Sequence, residues 1–337
     1  MKRSSLTRRD FLRTGGGALA GAYALALAGC GAHGGGSAQS GNVEDYPQET
    51  LNWTIAFGPG GGNDIMSRTL IEILRENDLY PNNIVATNLE GGDGARGWGF
   101  LFNQKGNPYY ISTTSGSFMT TPLAADTGWG PTSFTPVCMV ATDDLLFVVK
   151  DDAPYNTLED FIAAAKQESL AVGGIATVNV DFIISKLLAD QAGFKLNYVP
   201  FNDEGEMISA LLSESLVMIG SNPAEVIGLV ESGDAKPLAF SGKEPMSSLP
   251  DVPTLGELGY EIDISTPRGL VLAPGVEQGV QQWWIDTMKK VIKLPAWRTY
   301  LKENDLNEQV RYGEDFTEYL RNTQNKLKST LQEAGAI

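Results

Sequence analysis

Few residues of this chain could do catalytic chemistry, and histidine is almost missing. The 337 residues include one histidine, His33, and two cysteines, Cys30 and Cys138. His33 lies in a glycine-rich stretch near the N-terminus, so no Ser-His-Asp or Cys-His arrangement can be assembled in the folded body. A His-ligated zinc site is excluded for the same reason. The sequence therefore predicts no catalytic residue, no metal site and no cofactor.

The charge balance narrows the choice of partners. The chain has 25 basic and 41 acidic residues, a formal net charge of −16. An acid excess disfavours binding to the phosphates of nucleic acids, which attract basic surfaces. Two cysteines are too few for a disulfide framework. Cys138 is flanked by Val137 and Met139, and this apolar context predicts a buried structural thiol.

The N-terminal segment has the pattern of an export signal. Five cations precede an apolar run, residues 18–28, that is too short to span a bilayer. Thr7-Arg-Arg-Asp-Phe-Leu12 resembles a twin-arginine motif, and Leu27-Ala-Gly-Cys30 resembles a bacterial lipobox. We therefore expect residues 1–29 to be a signal peptide and residues 30–45 to be a lipidated Cys30 with a flexible tether.

Cleavage before Cys30 would remove the five cations and Asp10, which changes the formal net charge from −16 to −20. The predicted product is an exported lipoprotein that faces the periplasm or the cell exterior. Its acyl chains would hold it on a membrane surface.

From Leu51 onward, strand-like and helix-like segments alternate. Such alternation predicts an α/β architecture with largely parallel sheets, in which ligands bind beyond the carboxyl ends of the strands. The loops after the strands are therefore the candidate sites. Asp143-Asp144 is expected to be a solvated turn, and Trp283-Trp284 and Trp297 are expected to pack in the core.

The first candidate loop runs from Phe57 to Asp64 and contains Gly60, Gly61 and Gly62. Its glycines let the backbone approach a ligand, and the following helix N-terminus favours anions. Asn63 or Asp64 would cap that helix. The segment lacks the Lys-Ser/Thr of a P-loop, so a plain strand–helix turn is the alternative.

Five further segments are candidates by composition. Glu90–Gly97 matches G-x-G-x-x-G but lacks the later acidic residue of a dinucleotide site, so we interpret it as a second glycine-rich rim loop. Its Arg96 either faces the ligand or covers the surface. The loop 113–117 contains hydroxyl groups that could hydrogen-bond to a carboxylate. The segments 173–181 and 221–225 are either ligand-binding loops or plain connections between elements. Arg268 either binds a ligand carboxylate or forms a surface salt bridge.

From about Tyr46 to the C-terminus, the chain resembles the extracytoplasmic solute receptors of tripartite tricarboxylate transporters, also called the Bug family. The resemblance rests on several segments in a shared order. They are Phe57-Gly-Pro-Gly-Gly-Gly-Asn-Asp64, Glu90-Gly-Gly-Asp-Gly94, Phe134-Thr-Pro-Val137, Tyr198-Val-Pro-Phe201, Leu249-Pro-Asp-Val-Pro-Thr254, and Arg268-Gly269 followed by Ala273-Pro-Gly275.

The resemblance implies a two-lobed periplasmic-binding-protein-like fold of type II, with the ligand cleft between the lobes. Residues 46–143 plus 265–337 would form lobe 1, and 144–264 lobe 2. The implied ligand is a small organic anion, a di- or tricarboxylate. Carried over residue by residue, the implied ligand-binding positions are Gly60, Gly61, Gly62, Asn63, Asp64, Ser115, Gly116, Ala176, Thr177, Asn179, Asp181, Asn222 and Glu225, and the sequence adds Arg268.

One departure from the family pattern bears on the ligand. Phe182 stands where many relatives have histidine, which leaves a more apolar or aromatic carboxylate open. The resemblance also implies two integral membrane permease subunits as partners of a monomeric receptor. Two other functions stay open from the sequence: a receptor that signals to a sensor, and an exported α/β enzyme.

Overall fold

The computed structural model describes residues 45–176, 178–201 and 204–337. The predicted signal peptide, Cys30, nearly all of the tether and Thr177 lie outside the described residues. A single compact unit contains all of the described part. No helix in that part is long and apolar enough to cross a membrane.

Two sheets organise the described residues. The first has six strands in the order β11-β4-β10-β3-β1-β2. The second has five strands in the order β7-β6-β8-β5-β9. The strands are β1 (Leu51–Ile55), β2 (Ile84–Asn88), β3 (Tyr110–Thr113), β4 (Thr135–Asp143), β5 (Leu146–Lys150), β6 (Ala171–Ile175), β7 (Asn197–Phe201), β8 (Met218–Ser221), β9 (Ala235–Phe240), β10 (Thr266–Leu272) and β11 (Asn307–Tyr312).

Helices follow most of the strands, as the alternating sequence predicted. They are α1 (Gly62–Glu76), α2 (Ala95–Phe102), α3 (Gly116–Ala124), α4 (Leu158–Ala165), α5 (Val180–Ala192), α6 (Glu204–Leu212), α7 (Pro223–Ser232), α8 (Gln278–Val291), α9 (Pro295–Glu303) and α10 (Gly313–Glu333), with a 3-10 turn at Pro131–Ser133.

The expectation of largely parallel sheets is wrong, because both sheets are mixed. Strands β2 and β3 run parallel to β1, but β10 is antiparallel to both β3 and β4. In the second sheet β6 pairs parallel with β7 and β8, whereas β5 is antiparallel to β8 and β9. The chain passes between the sheets after β4 and returns before β10. Strands β5 and β10, the first strands after these two passages, run antiparallel to both of their neighbours.

Two elements were not predicted. Strand β11 alternates polar and charged residues at the edge of the first sheet, so it has no apolar signal. Helix α3 begins within the predicted loop 113–117, and its sequence combines glycine, threonines and an internal Pro122, which all have low helix propensity. Its burial against the rest of the lobe overrides that propensity, since Phe118 and Met119 are fully buried.

The apolar core confirms the predictions for tryptophan and cysteine. Trp284 and Trp297 are fully buried, and Trp283 packs against the same core. Cys138 is buried too, and its burial raises the pKa of the thiol, which keeps it protonated and unreactive.

The glycines of the G-x-G-x-x-G match pack helix α2 against strand β1. Gly94 has φ 85°, a left-handed conformation, and Trp98 occupies the space that a side chain there would need. A Cβ on Gly97 would lie 2.5 Å from the Cα of Ala56 and 3.0 Å from the carbonyl oxygen of Leu89. These glycines therefore permit close packing of helix and strand.

This packing predicts opposite effects for two alanine substitutions in one helix. The Cβ introduced by Gly97→Ala would push helix α2 away from the backbone of Ala56, so the variant should lower the free energy of unfolding by about 1–3 kcal/mol. Gly99→Ala meets only Trp129 Nε1, at 3.6 Å. It should raise the free energy of unfolding by about 0.5–1 kcal/mol through helix propensity. Urea unfolding of both variants tests this, and equal effects would contradict the packing argument.

Candidate functional site

The β1–α1 loop is held in shape by one buried carboxylate. Asp64 accepts hydrogen bonds from the backbone N–H of Gly60 at 3.0 Å, from Arg68 Nε at 2.9 Å and from Asn88 Nδ2 at 2.9 Å. Partial desolvation opposes ionisation, but the bonds from Arg68, Asn88 and Gly60 hold the pKa of Asp64 below its usual range. Asp64 thus orders the loop, while Gly60 and Gly61 stay exposed.

Asn63 joins this loop to the end of strand β3. Its Nδ2 donates to the carbonyl oxygen of Thr114 at 3.4 Å, and its Oδ1 accepts from Thr113 Oγ1 at 3.0 Å. Ser67 Oγ shares a hydrogen bond with Thr113 Oγ1 at 2.8 Å. All of these side chains are buried. The N-terminus of α1 is therefore fixed beside that of α3.

Ser115 occupies the N-cap position of α3, but its side chain does not cap the helix. The residue is 8% exposed, and within the described part of the chain its Oγ has no hydrogen-bond partner. A buried hydroxyl without a partner costs about 1–3 kcal/mol. Ser115 Oγ is therefore a buried hydroxyl at this helix terminus whose hydrogen-bonding capacity the described residues leave unused.

The N-termini of α3 and α5 meet across the two sheets. A Cβ on Gly116 would lie 3.0 Å from Val180 Cγ2 and 3.6 Å from Asn179 Oδ1. Asn179 is the N-cap of α5, and its Oδ1 accepts from the N–H of Val180 at 2.7 Å. Ala176, in the same β6–α5 loop, has φ 56°, a left-handed conformation that is uncommon for alanine. Strained backbone of this kind is frequent at ligand-binding sites.

Asp181 lies in the first turn of α5 and is 7% exposed. One of its carboxylate oxygens accepts from the N–H of Ile175 at 3.0 Å. Burial raises its pKa to about 7, helped by the negative charge of Asp143 and opposed by the hydrogen bonds from Ile175 and its own N–H. Burial therefore favours the protonated form of this aspartate.

Asp143 ends strand β4 and links groups from both sheets. Its Oδ2 accepts from Arg268 Nε of β10 at 3.0 Å and also from Nη2 of the same side chain. Its Oδ1 accepts from Asn222 Nδ2, the N-cap residue of α7, at 2.6 Å. The carboxylate therefore connects β10 of the first sheet with α7 of the second.

Of the two alternatives for Arg268, the surface salt bridge is wrong. The residue is 8% exposed, so its ion pair with Asp143 is buried. Its Nε and Nη2 both donate to Asp143, and the binding of a ligand carboxylate by Arg268 stays a prediction. The guanidinium lies under the first loop, because a Cβ on Gly62 would be 2.8 Å from Arg268 Nη2.

The expectation that Asp143-Asp144 is a solvated turn is also wrong. The two residues are 4% and 1% exposed, because the chain passes between the sheets at this point and both sides cover it. Asp144 Oδ2 accepts from Thr142 Oγ1 at 3.1 Å and from Asn307 Nδ2 at 3.0 Å. Burial raises the pKa of Asp144, against the lowering effect of Ser265 and Asn307.

Most of the candidate residues are thus brought together at the carboxyl ends of β1, β3, β6 and β8. Gly116, which follows Ser115, lies against the N-terminus of α5. Asn222 is linked to this region by its hydrogen bond to Asp143, which also binds Arg268. Glu225 is exposed in the first turn of α7, and Arg96 is exposed with its Nη1 donating to the carbonyl oxygen of Glu90 at 3.4 Å. Asp143 was not predicted as a site residue, although Thr142 and Asp143 are polar residues at the end of a long buried strand.

The electrostatics of the site come from helix termini. Helices α1, α3, α5 and α7 begin here, and each N-terminus carries partial positive charge from unpaired N–H groups. The cations Arg68 and Arg268 are paired with Asp64 and Asp143. Such an arrangement binds a small anion through backbone amides and hydroxyls.

A separate polar cavity of about 640 Å³ lies between α10 and the segment that leads to β10. Of its cations, Lys243 and Lys326 lie 2.8 and 3.8 Å from Asp263, and Arg311 lies over the ring of Tyr319. Because these three cations share the cavity with the acidic residues Asp263, Asp315 and Glu318, the cavity has a weaker case for binding an anion than the meeting point of the helix N-termini.

The buried ion pair predicts a large loss of stability when one partner is removed. Arg268→Met leaves Asp143 charged and buried and should lower the free energy of unfolding by about 3–5 kcal/mol. Adding Asp143→Asn removes that charge, so the double variant should recover much of the loss. Lys289→Met is the control, since its pair with Asp286 is about half exposed and should change stability by less than about 0.5 kcal/mol. Additive effects in a double-mutant cycle would contradict the coupling.

Fold and site together define a two-lobed α/β binding protein. The family model described as the tripartite tricarboxylate transporter family receptor (TctC) matches residues 81–336, and the chain belongs to this family. Protein BugT of Bordetella pertussis is 26% identical over 242 residues, which cover 69% of this chain and 73% of BugT.

Solved structures agree with the fold. A TctC solute-binding protein from Polaromonas, crystallised without ligand, superimposes with a TM-score of 0.75 at 26% identity over 86% of this chain and 99% of its own. Two proteins of Rhodopseudomonas palustris also match. MatC, with bound malate, has a TM-score of 0.70 at 18% identity over 85% of this chain and 100% of its own. The other protein, with adipate, has a TM-score of 0.74 at 20% identity over 86% of this chain and 99% of its own. The predicted family and two-lobed fold are confirmed.

Proposed function

We propose that this receptor captures a small organic dicarboxylate between its lobes and delivers it to two integral membrane permease subunits. The observation that carries the proposal is the unpartnered hydroxyl of Ser115 at the point where α3 meets α5. The bound malate and adipate of the two structural neighbours support the ligand class.

The proposed binding mode uses one group of donors from each lobe. One carboxylate would accept from Ser115 Oγ and the N–H groups that begin α1 and α3. The other lobe would add the amides at the start of α5, with the Asn179 and Asn222 side chains nearby. Closure of the lobes needs contacts that exist only when both are engaged, because a ligand shifts the equilibrium only by its difference in affinity for the two states.

The wall beside α5 sets the length and polarity of the ligand chain in this proposal. Phe182 packs edge-on against Tyr198, with ring centroids 5.1 Å apart. Its apolar edge would favour an aliphatic or aromatic spacer over a hydroxylated one. Adipate-like ligands therefore suit this site better than tricarboxylates.

The proposal extends to domain boundaries and location. Lobe 1 would comprise residues 46–143 and 265–337, and lobe 2 residues 144–264, with the hinge at the two passages between the sheets. The receptor would be an exported monomer without catalytic activity, anchored through lipid on Cys30. Support for export comes from the basic and apolar pattern of residues 1–29.

Ser115 provides the first test. Removing a buried hydroxyl that has no protein partner should raise the stability of the ligand-free protein, because its desolvation cost disappears, but weaken dicarboxylate binding by about threefold to tenfold, since a hydrogen bond is worth about 0.5–1.5 kcal/mol. Calorimetry with adipate and malate compares Ser115→Ala with Ser185→Ala. Ser185 Oγ is also buried without a partner in the described residues, but lies deeper in α5. The proposal would be contradicted if the unsubstituted protein bound neither dicarboxylate, or if the two variants weakened binding equally.

Cys30 provides the second test. In cells that process lipoproteins, the unsubstituted protein should fractionate with membranes and incorporate labelled fatty acid. Cys30→Ser should lose the label and move to the soluble fraction, because stable anchoring depends on the acyl chains. Cys138→Ser is the control, since that buried thiol is inaccessible and should leave labelling unchanged. Persistent labelling of Cys30→Ser would contradict the lipid anchor.

A further inference from the structure

Two aspartates hold corresponding positions in the two lobes, but their surroundings differ. Asp64 near the start of α1 and Asp181 near the start of α5 each accept a hydrogen bond from the backbone of the preceding loop, from Gly60 and from Ile175. Asp64 also has a cation, Arg68, whose Nε lies 2.9 Å away. In lobe 2 no ion pair to Asp181 is found among the described residues.

Among the described residues, the groups around Asp181 supply no compensating positive charge. Of the elements packed against α5, α3, β6 and β8 have no titratable side chain. Strand β7 brings Tyr198, whose hydroxyl donates to the carbonyl oxygen of Ile175 at 3.3 Å. Nearby, Glu204 accepts from Ser221 Oγ at 3.0 Å.

Two further elements complete the surroundings of Asp181. From β4 comes Asp143, whose charge is shared with Arg268. Helix α10 carries Arg321 and Lys326, which lie near Glu314 and Asp263 at 3.9 and 3.8 Å. The charges that face Asp181 are therefore acidic or already paired.

Asp181 also lies beside the proposed ligand position. It comes two residues after Asn179, whose Oδ1 approaches Gly116 across the lobes, and Gly116 follows Ser115. A carboxylate bound between these helix termini would lie at the first turn of α5, the turn that contains Asp181. Two ionised carboxyl groups that share one site repel each other, and the usual outcome is that one of them retains a proton.

We propose, on the basis of the proposed function, that Asp181 binds the ligand in its protonated form and donates a hydrogen bond from its carboxyl group to the ligand carboxylate. The proton comes from the solvent and stays on Asp181 while the ligand is bound. Capture of a dicarboxylate is then coupled to the uptake of up to one proton. No bond other than this hydrogen bond forms or breaks.

The pH dependence follows from the state of the free receptor. Burial places the pKa of Asp181 at about 7, so the proton is already present below neutral pH and must be taken up above it. The apparent affinity should be flat in acid and fall towards tenfold per pH unit well above neutral. Aliphatic dicarboxylates are fully ionised from pH 7 to 9, so their own titration does not contribute.

Calorimetry in paired buffers measures the proton directly. Adipate is titrated into the full protein at pH 6.5, 7.5 and 8.5, in two buffers of different ionisation enthalpy at each pH. We expect uptake to rise towards one proton per adipate at pH 8.5, with an affinity at least about tenfold lower than at pH 6.5. Uptake near zero with a constant affinity at every pH would overturn the inference and leave the proposed function intact. Absence of adipate and malate binding at every pH would instead overturn the proposed function and, with it, this inference.

Asp181→Asn tests whether Asp181 is the group that takes up the proton. Its amide oxygen accepts from Ile175 and its amide nitrogen always donates, so the variant should bind adipate at pH 8.5 as tightly as the unsubstituted protein does at pH 6.5, without proton uptake. Asp190→Asn is the matched control, since Asp190 lies at the exposed end of the same helix and pairs with Lys186. It should keep the normal pH dependence. A pH dependence that survives in Asp181→Asn would assign the proton to another group and overturn the inference.

Discussion

The structure depends on one buried carboxylate, that of Asp143 at the end of strand β4. The chain leaves the first sheet directly after it, and the carboxylate is held by Arg268 of β10 and Asn222 at the start of α7. A charge this well buried is stable only with such partners. The same contacts place the N-termini of α1 and α7 on either side of the ion pair, so the constraint that satisfies Asp143 also shapes the site.

The two arginines of the site, Arg68 and Arg268, are paired with aspartates of the protein. The proposed binding mode therefore relies on backbone amides, the Ser115 hydroxyl and two asparagines to attract an anion. Amide dipoles are fixed by the helices and need no rearrangement when the ligand arrives. This solution allows a strongly acidic protein to bind an acid, because the local potential is set by helix termini and not by the net charge.

The sequence predicted the α/β fold and its alternation of strands and helices, because the apolar periodicity of a strand or helix can be recognised without the tertiary structure. It failed where the local signal was weak. Strand β11 is polar at a sheet edge, and α3 has poor helix formers that burial compensates. The predicted loops did converge, but the partners of Arg268 and the burial of Asp144 depended on segments more than 100 residues apart.

The sequence by itself determined that this protein has almost no histidine, a glycine-rich first loop and an order of motifs shared with one receptor family. These features are local, so they can be read without a fold. Only the tertiary structure decided that Arg268 pairs with Asp143, that Asp64 is ionised and pairs with Arg68, and that Asp181 has no cationic partner in the described part of the chain. The physical reason is that the ionisation of a carboxyl group depends on its burial and its neighbours in space, which the order of residues does not reveal.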